Sequence, residues 1–279
     1  MDKKLNLIKS IALCVIAFCM AVAGYLFWEH RNYKEPVVVS EYITEVKKLS
    51  DYFDGVKGTV NDCNVYIFDS GVEGGTFLIW GSTHPEEPAG VMAASLMVEN
   101  LKVTQGKVII IDRENNSAST NTRVGEAYPR FFTYETDWGT KVWRFGDRHA
   151  NQLDSWPDPE VYIHYPSGQT LANVDIRNTN RNWPGKANGL LTERTNYAVM
   201  QLIEQEGVDM TLDLHEAELE YTVENTIVVH EKGQSVAAMV SMMLTAETFD
   251  VPVGREFSPT ALHGLSHREV GDWSDAASY

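Results

Sequence analysis

The chain has 279 residues and a mass of 31.3 kDa, enough for one large domain or two small ones. Its composition, 43% hydrophobic and 22% charged, allows a substantial core and excludes a chain that is disordered by composition. The formal net charge of -16 argues against a general nucleic-acid binder and against a polybasic membrane-surface protein. Three cysteines exclude a disulfide framework.

The N-terminus carries a membrane signal. Lys3, Lys4 and Lys9 precede an uncharged run over Ser10–Trp28, which is just long enough to span a bilayer of roughly 30 Å. We expect a cytoplasmic basic leader at 1–9, a transmembrane signal-anchor at 10–28 and the rest of the chain outside the cytoplasm. The alternative is a secreted protein, because Ala21-Val22-Ala23 has the pattern of a signal-peptide cleavage site.

The remainder of the chain is predicted to be an α/β domain behind a short lead. Residues 29–60 are polar and irregular, and we interpret them as a stalk plus a leading element with a possible helix over Ser40–Phe53. Within 61–279, apolar runs alternate with segments of helical spacing, which predicts a mainly parallel sheet flanked by helices. The strands are predicted at Thr76–Trp80, Lys107–Asp112, Val208–Leu214 and Thr226–His230, and the helices at Pro88–Leu101 and Leu190–Glu206.

One stretch of this domain is unusually aromatic. Residues 128–165 contain ten aromatics in 38 residues, whereas the whole chain has 29. We therefore expect an aromatic insertion at about 120–170. Such an insertion forms either a small aromatic sub-core that lets the segment fold or a wall over a site, and the two interpretations are compatible.

Two predicted strands end next to residues that bind metals. His84 and Glu87 lie between a strand and a proline-started helix, and His215 directly follows the strand predicted at Val208–Leu214. Sites in open α/β sheets form beyond the carboxyl ends of the strands. A catalytic zinc needs three protein ligands and an open position, and His84, Glu87 and His215 supply that number and type. Asp213 is placed to hold the ring of a ligating histidine.

The third segment of interest is Asn178–Gly185. Arg181 and Asn180 lie in it, and Arg177 immediately precedes it. Because Arg binds carboxylates through two parallel hydrogen bonds, this cluster in an acidic protein suits an anionic substrate. The plainer interpretation is a turn, since Asn, Pro and Gly are turn formers and Arg is often a surface charge.

Together these motifs resemble those of the succinylglutamate desuccinylase/aspartoacylase family, within the zinc carboxypeptidase-like superfamily. The family's Gly-Gly-x-His-Gly-Asn-Glu-x-x-Gly is similar to Gly81–Gly90, its Asp-Leu-Asn-Arg-x-Phe-Pro-Gly to Asn178–Gly185, and its Asp-Leu-His to Asp213–His215. Ile111–Ala118 also resembles the segment after the family's second core strand. The resemblance implies a zinc-carboxypeptidase-like fold with one Zn²⁺ ion.

The family also carries a catalytic Glu on a late strand. The candidate within this chain is Glu269, although Pro85 and Glu86 depart from the family's Gly-Asn and the chain ends at Tyr279 without a terminal β-rich part. We therefore expect a C-terminally truncated member, whose true catalytic Glu is either Glu269 or a residue beyond Tyr279.

The sequence thus predicts a membrane-anchored zinc amidohydrolase. A metal-activated water would cleave an N-acyl amino acid or a related anionic amide, with a Glu as the proton carrier. Arg181 with Asn180 would hold the substrate carboxylate, and Arg113 or Arg177 would polarise the carbonyl oxygen. The alternatives are a zinc carboxypeptidase acting on peptides or cell-wall peptides, and a catalytically inactive zinc-containing binding module. A serine hydrolase using Ser266 is disfavoured because its surroundings lack the second glycine of a nucleophile elbow.

Overall fold

The computed structural model describes residues 2–121, 129–136, 139–216, 226–247, 253–257 and 261–279. The helices in this part are α1 Asp2–Asn32, α2 Pro88–Asn100, α3 Asn116–Ser119, α4 Leu191–Glu206, α5 Gln234–Glu247 and α6 Ser266–Trp273. The strands are β1 Glu45–Lys48, β2 Asn64–Asp69, β3 Thr76–Trp80, β4 Lys107–Ile111, β5 Phe131–Thr136, β6 Gly139–Arg144, β7 Tyr162–Ile163, β8 Thr170–Leu171, β9 Met210–Asp213, β10 Thr226–Val229, β11 Gly254–Phe257 and β12 Ala277–Ser278.

The main sheet is mixed and mainly parallel, as the alternation of strands and helices predicted. Its six strands run in the order β1-β2-β4-β3-β9-β12. Strand β3 pairs in parallel with both β4 and β9, and β9 pairs in parallel with β12. Strands β2 and β1 extend the sheet antiparallel at the other edge. The carboxyl ends of β3, β4 and β9 therefore meet at one edge of the sheet.

The core follows from the two-residue period of the strands. In β4, Ile109 and Ile111 contribute to the cluster that contains α4, whereas Ile110 contributes to the cluster that contains α2. Successive side chains of a strand point to opposite faces, so an all-apolar strand is covered on both sides. Helix α4 ends at Gly207, whose φ of 60° closes it in the left-handed conformation.

The predicted helix over Ser40–Phe53 was wrong. Glu45–Lys48 form strand β1 instead and pair with β2, because edge hydrogen bonding to a sheet overrides a weak local helical pattern. The surrounding segment, predicted as a stalk and leading element, packs on the domain. The Ser40 amide donates to the carbonyl of Val98, and Leu49 is fully buried.

The aromatic segment forms two small antiparallel ribbons, β5–β6 and β7–β8. Trp143 is buried, and the rings of Phe132 and Tyr134 meet it edge-on. These contacts form a small aromatic cluster of the kind that supports an insertion. Tyr128 and Trp138, which also belong to the aromatic stretch, lie outside the described residues.

Helix α1 is long and apolar enough to cross a membrane, and none of its most apolar window is buried. A signal sequence near an N-terminus meets the same criteria of length and hydropathy.

Candidate functional site

The predicted metal ligands converge at the carboxyl edge of the sheet. Trp80, the last residue of β3, lies opposite Asp213, the last residue of β9, so the loops that follow both strands start side by side. Helix α2 packs closely there, because a Cβ on Gly90 would lie 2.4 Å from the carbonyl oxygen of Leu214. This close approach brings Glu87, directly before α2, beside His215.

The ligand atoms share one centre. The Nδ1 atom of His84 lies 2.7 Å from Oε1 of Glu87, and Nδ1 of His215 lies 2.9 Å from Oε2 of the same carboxylate. One ligand atom from each residue lies within 4.8 Å of the others. The sequence prediction that these three side chains lie together is therefore matched by the geometry.

The Nε2 atoms of His84 and His215 also contact side chains. Nε2 of His84 lies 3.0 Å from Oδ1 of Asn178, and Nε2 of His215 lies 2.9 Å from Oδ2 of Asp213. Asp213 also accepts a hydrogen bond of 2.7 Å from the Thr83 hydroxyl. These contacts fix both ring orientations, as carboxylate and amide partners do for metal-ligating histidines.

The electrostatics of the cluster favour a bound cation. Burial opposes the charge on Glu87, but hydrogen bonds with His215 and His84 hold its pKa well below the usual range. Burial likewise opposes a charged His215, yet the carboxylates of Asp213 and Glu87 raise its pKa to about 10. Two carboxylates thus attract positive charge to this point. Two imidazoles and one carboxylate fit the donor set of a catalytic zinc.

Arg148 is a member of the site that sequence reasoning missed. Its Nε donates to Oε1 of Glu86 at 2.9 Å, and its Nη2 lies 3.4 Å from Oε1 of Glu87. Arg148 lies more than 60 residues away in the sequence, within the aromatic segment at 128–165 and outside any recognised motif. Its approach therefore depends on how that segment packs.

The segment with Asn180 and Arg181 borders the site through Asn178. Oδ1 of Asn178 faces His84 and also accepts from the Asn180 amide, and Oδ1 of Asn180 accepts from the Ser266 amide at 2.9 Å. The guanidinium of Arg181 donates to the carbonyl of Asn180. A Cβ on Gly264 would lie 2.1 Å from the Arg181 carbonyl, so the two loops are in close contact.

Two predicted substrate groups are engaged elsewhere. The buried Arg113 pairs with Glu35 at 3.3 Å and donates to Ser119, and the buried Arg177 donates to Asp158 at 3.0 Å. Because each guanidinium already neutralises a carboxylate, the geometry does not support either one as the group that polarises a substrate carbonyl. Sequence reasoning had no access to these long-range partners.

Glu269 is buried, but its carboxylate serves a different cluster. Oε1 accepts from His263 at 2.8 Å and from the Gly264 amide at 3.1 Å, and Oε2 accepts from Trp273 at 3.1 Å. These three donors fasten the loop before α6 to the helix. The geometry therefore does not place Glu269 at the His84–Glu87–His215 centre, contrary to the expectation for a general base.

This second cluster, His164, His263 and Glu269, also has three ligand atoms within 4.8 Å. However, Nε2 of His263 lies 3.1 Å from the Arg268 guanidinium and Nδ1 lies 2.8 Å from Glu269, so both ring nitrogens already have a partner. His164 already contacts the carbonyl of Trp183 through Nε2 and the Ser167 hydroxyl through Nδ1. The arrangement is that of a satisfied hydrogen-bond network.

Glu114 is a second residue that the sequence did not single out. It is fully buried, and neither carboxyl oxygen has a hydrogen-bond partner among the described residues. Burial, reinforced by the nearby Asp213 carboxylate, raises the pKa of Glu114 well above its usual range. Its position just beyond the end of β4 was the one signal available, because sites form at that edge.

No protein-family model and no curated protein matches the chain. Among solved structures, the chain is similar to a metallo-carboxypeptidase from Burkholderia cenocepacia, with 12% identity, a TM-score of 0.51 and coverage of 85% of this chain and 55% of that one. It is also similar to a succinylglutamate desuccinylase/aspartoacylase from Rhodobacter sphaeroides (16% identity, TM-score 0.45, 78% and 50% coverage). A murein-tripeptide amidase from Escherichia coli O157 gives 12% identity, a TM-score of 0.44 and 90% and 85% coverage.

The chain spans about half the length of the Rhodobacter sphaeroides and Burkholderia cenocepacia structures that it matches. At 12% identity and a TM-score of 0.51, the likeness to the metallo-carboxypeptidase is a likeness of fold. The chain has the metallo-carboxypeptidase fold.

Proposed function

We propose that the chain is a zinc-dependent hydrolase that cleaves an amide bond. The observation that carries the proposal is the convergence of two imidazole Nδ1 atoms on one carboxylate, in His84, His215 and Glu87. Among the known sets of zinc ligands, two histidines and one glutamate are a set used by zinc hydrolases.

The ligands would be the Nδ1 atoms of both histidines and the carboxylate of Glu87. Asp213 and Asn178 would keep the rings oriented through the Nε2 atoms. A zinc ion held there supplies Lewis-acid polarisation of a carbonyl and lowers the pKa of a water. The residues around it then determine which substrate is bound.

We assign an N-acyl amino acid or a related anionic amide as the substrate class. A guanidinium binds a carboxylate through two parallel hydrogen bonds, so a cationic group beside the site favours an anionic substrate. Arg181, with Asn180, is assigned to the substrate carboxylate, and Arg148, beside Glu87, adds positive charge at the centre. Arg181→Ala should raise the KM of an anionic substrate much more than that of its neutral amide, and Arg181→Lys should rescue only partly.

Whether the chain supplies a general base distinguishes the proposed hydrolase from a zinc-containing binding module. Glu269 would have to leave three N–H donors before it could accept a proton at the centre. That engagement favours, as the second candidate, a zinc-containing binding module without hydrolytic activity.

Membrane anchoring is part of the proposal. Helix α1 would cross the bilayer with Lys3, Lys4 and Lys9 on the cytoplasmic side, leaving the domain outside. Cleavage near Ala23 would instead release the domain in soluble form.

The test uses the full chain, purified in detergent. We expect about one zinc per chain by metal analysis, and loss of that zinc in a His84→Ala, His215→Ala double variant. His149→Ala is the matched control, because His149 pairs with Asp147 and lies outside the ligand group. Undiminished zinc in the double variant would refute the metal site.

A panel of N-acyl amino acids and short peptides then separates the amidohydrolase from a carboxypeptidase and from the binding module. Zinc-dependent turnover of N-acyl amino acids supports the amidohydrolase, and turnover of peptides alone supports a carboxypeptidase. Full zinc occupancy without turnover of any panel member supports the binding module.

A further inference from the structure

The outer end of helix α1 is fastened to the domain by charged contacts. The two guanidinium nitrogens of Arg31 donate to the two carboxylate oxygens of Asp154, at 2.5 Å and 3.2 Å. Asp154 also accepts from the Ser117 hydroxyl at 2.8 Å, which ties the pair to helix α3. A paired guanidinium and carboxylate hold direction as well as distance.

The start of the β5–β6 ribbon contacts the same end of the helix through Arg130 and Phe131. Arg130 donates to the carbonyl of Leu26 at 2.7 Å and pairs with Glu29 at 3.1 Å. The ring of Phe131 meets those of His30 and Tyr33 edge-on, with centroids 5.5 and 5.0 Å away. The last two turns of α1 are therefore held from two sides.

The chain just beyond the helix is held as firmly. The Glu35 carboxylate accepts from Nε of Arg144 at 2.8 Å and from Nη2 at 2.9 Å, and it lies 3.3 Å from Arg113. We call Leu26–Glu35 with these partners the collar. Because the collar uses ion pairs and ring contacts on both sides, it fixes the helix axis relative to the domain.

Two large apolar side chains lie exposed beside the collar. Leu153 is 80% exposed and Trp156 is 66% exposed, and they flank the Asp154 that pairs with Arg31. Arg31 follows Trp28, the last residue of the apolar run, by three residues, or about 4.5 Å along the helix axis. Leu153 and Trp156 thus lie at about the depth at which the helix would leave the hydrocarbon core of the bilayer.

We propose that Leu153 and Trp156 enter the interfacial layer of the bilayer around α1, so that the domain rests on the membrane in one orientation. This inference rests on the proposed membrane anchoring of α1. Tryptophan favours the membrane–water interface, where its ring is apolar and its N–H remains solvated. The net charge of -16 disfavours attraction to anionic lipids, so the contact is apolar and does not need them.

The experiment uses the full chain reconstituted into phosphatidylcholine vesicles. Flotation after an alkaline carbonate wash first establishes that α1 is inserted. Tryptophan emission is then compared in vesicles with and without phosphatidylcholine brominated in the upper acyl chain. Among the described residues, Trp28 and Trp156 are the tryptophans placed near the interface, so Trp156→Phe should remove up to about half of the quenched emission.

Trp273→Phe is the matched control, because Trp273 is 56% exposed but lies in α6 against Glu269. It should leave the quenched emission unchanged. Leu153→Asn provides a second variant at a highly exposed position, where folding is not at risk, and it should reduce the quenching of Trp156. Adding anionic lipid should not increase the effect.

The outcomes separate this inference from the anchor on which it rests. A chain that floats but keeps all of its quenched emission in Trp156→Phe overturns the docking and leaves the anchor intact. A chain that does not float overturns both.

Discussion

Replacing Glu35 by Gln tests the collar by removing one charge from a buried group of three. The side chain of Glu35 is 7% exposed, and those of Arg144 and Arg113 are 3% and 8% exposed. Burial opposes the charge on Glu35, but Arg113 and Arg144 lower its pKa from 4.5 to about 2. At 1.36 kcal/mol per pKa unit, the shift corresponds to about 3 kcal/mol of folding free energy at neutral pH. Loss of one partner from a buried ion pair costs about as much, 3–5 kcal/mol.

The pH dependence has a definite sign. A carboxyl whose pKa is depressed by folding contributes its full stability above the pKa of the unfolded chain, near 4.5. That contribution is lost as pH falls from about 4.5 toward about 2. The difference between wild type and Glu35→Gln should therefore be largest at pH 7 and should shrink across this acidic window.

The assay is urea unfolding of the full chain in detergent micelles, followed by tryptophan fluorescence. Buried Trp80, Trp143 and Trp183 report on the domain. Asp54→Asn is the control, since Asp54 and Lys57 form an exposed pair 3.7 Å apart whose removal changes stability by less than about 0.5 kcal/mol. A loss below about 1 kcal/mol for Glu35→Gln at pH 7, or a loss independent of pH, would mean that Arg113 and Arg144 do not stabilise a charged Glu35.

Three further changes test the site and its supports. Asp213→Asn should weaken zinc binding about 10- to 100-fold in chelator competition, because the partner that orients His215 is lost; unaltered affinity would remove Asp213 from that role. Gly264→Ala should lower the free energy of unfolding by about 2 kcal/mol or more, because φ is 86° and the added Cβ meets the Arg181 carbonyl; an unchanged urea midpoint would contradict the close approach. Glu114→Gln should be at least as stable as wild type at pH 7. Burial raises the pKa of Glu114, so this carboxyl lowers the stability of the wild type at any pH above the pKa of Glu114 in the unfolded chain. The two proteins should converge as pH falls below about 4.5, and a large loss at pH 7 would mean that Glu114 is charged.

Local sequence patterns located four of the strands, β3, β4, β9 and β10, and the three proposed ligands. Thr76–Trp80 was predicted with the bounds that the structure has, because an apolar run between glycines has few other folded solutions. His84, Glu87 and His215 follow two such strands directly. Parallel strands end at one edge, so local pattern was enough to bring these residues together.

Only the tertiary structure decided the roles of the other charged residues. A charged side chain is governed by its nearest partner, and two of these partners lie far away in the sequence: Glu35 for Arg113 and Asp158 for Arg177. No local pattern encodes such pairs, because they depend on which loops the packed core brings into contact. For the same reason, the apolar run predicted a membrane helix, but only the folded domain revealed the collar that holds its end.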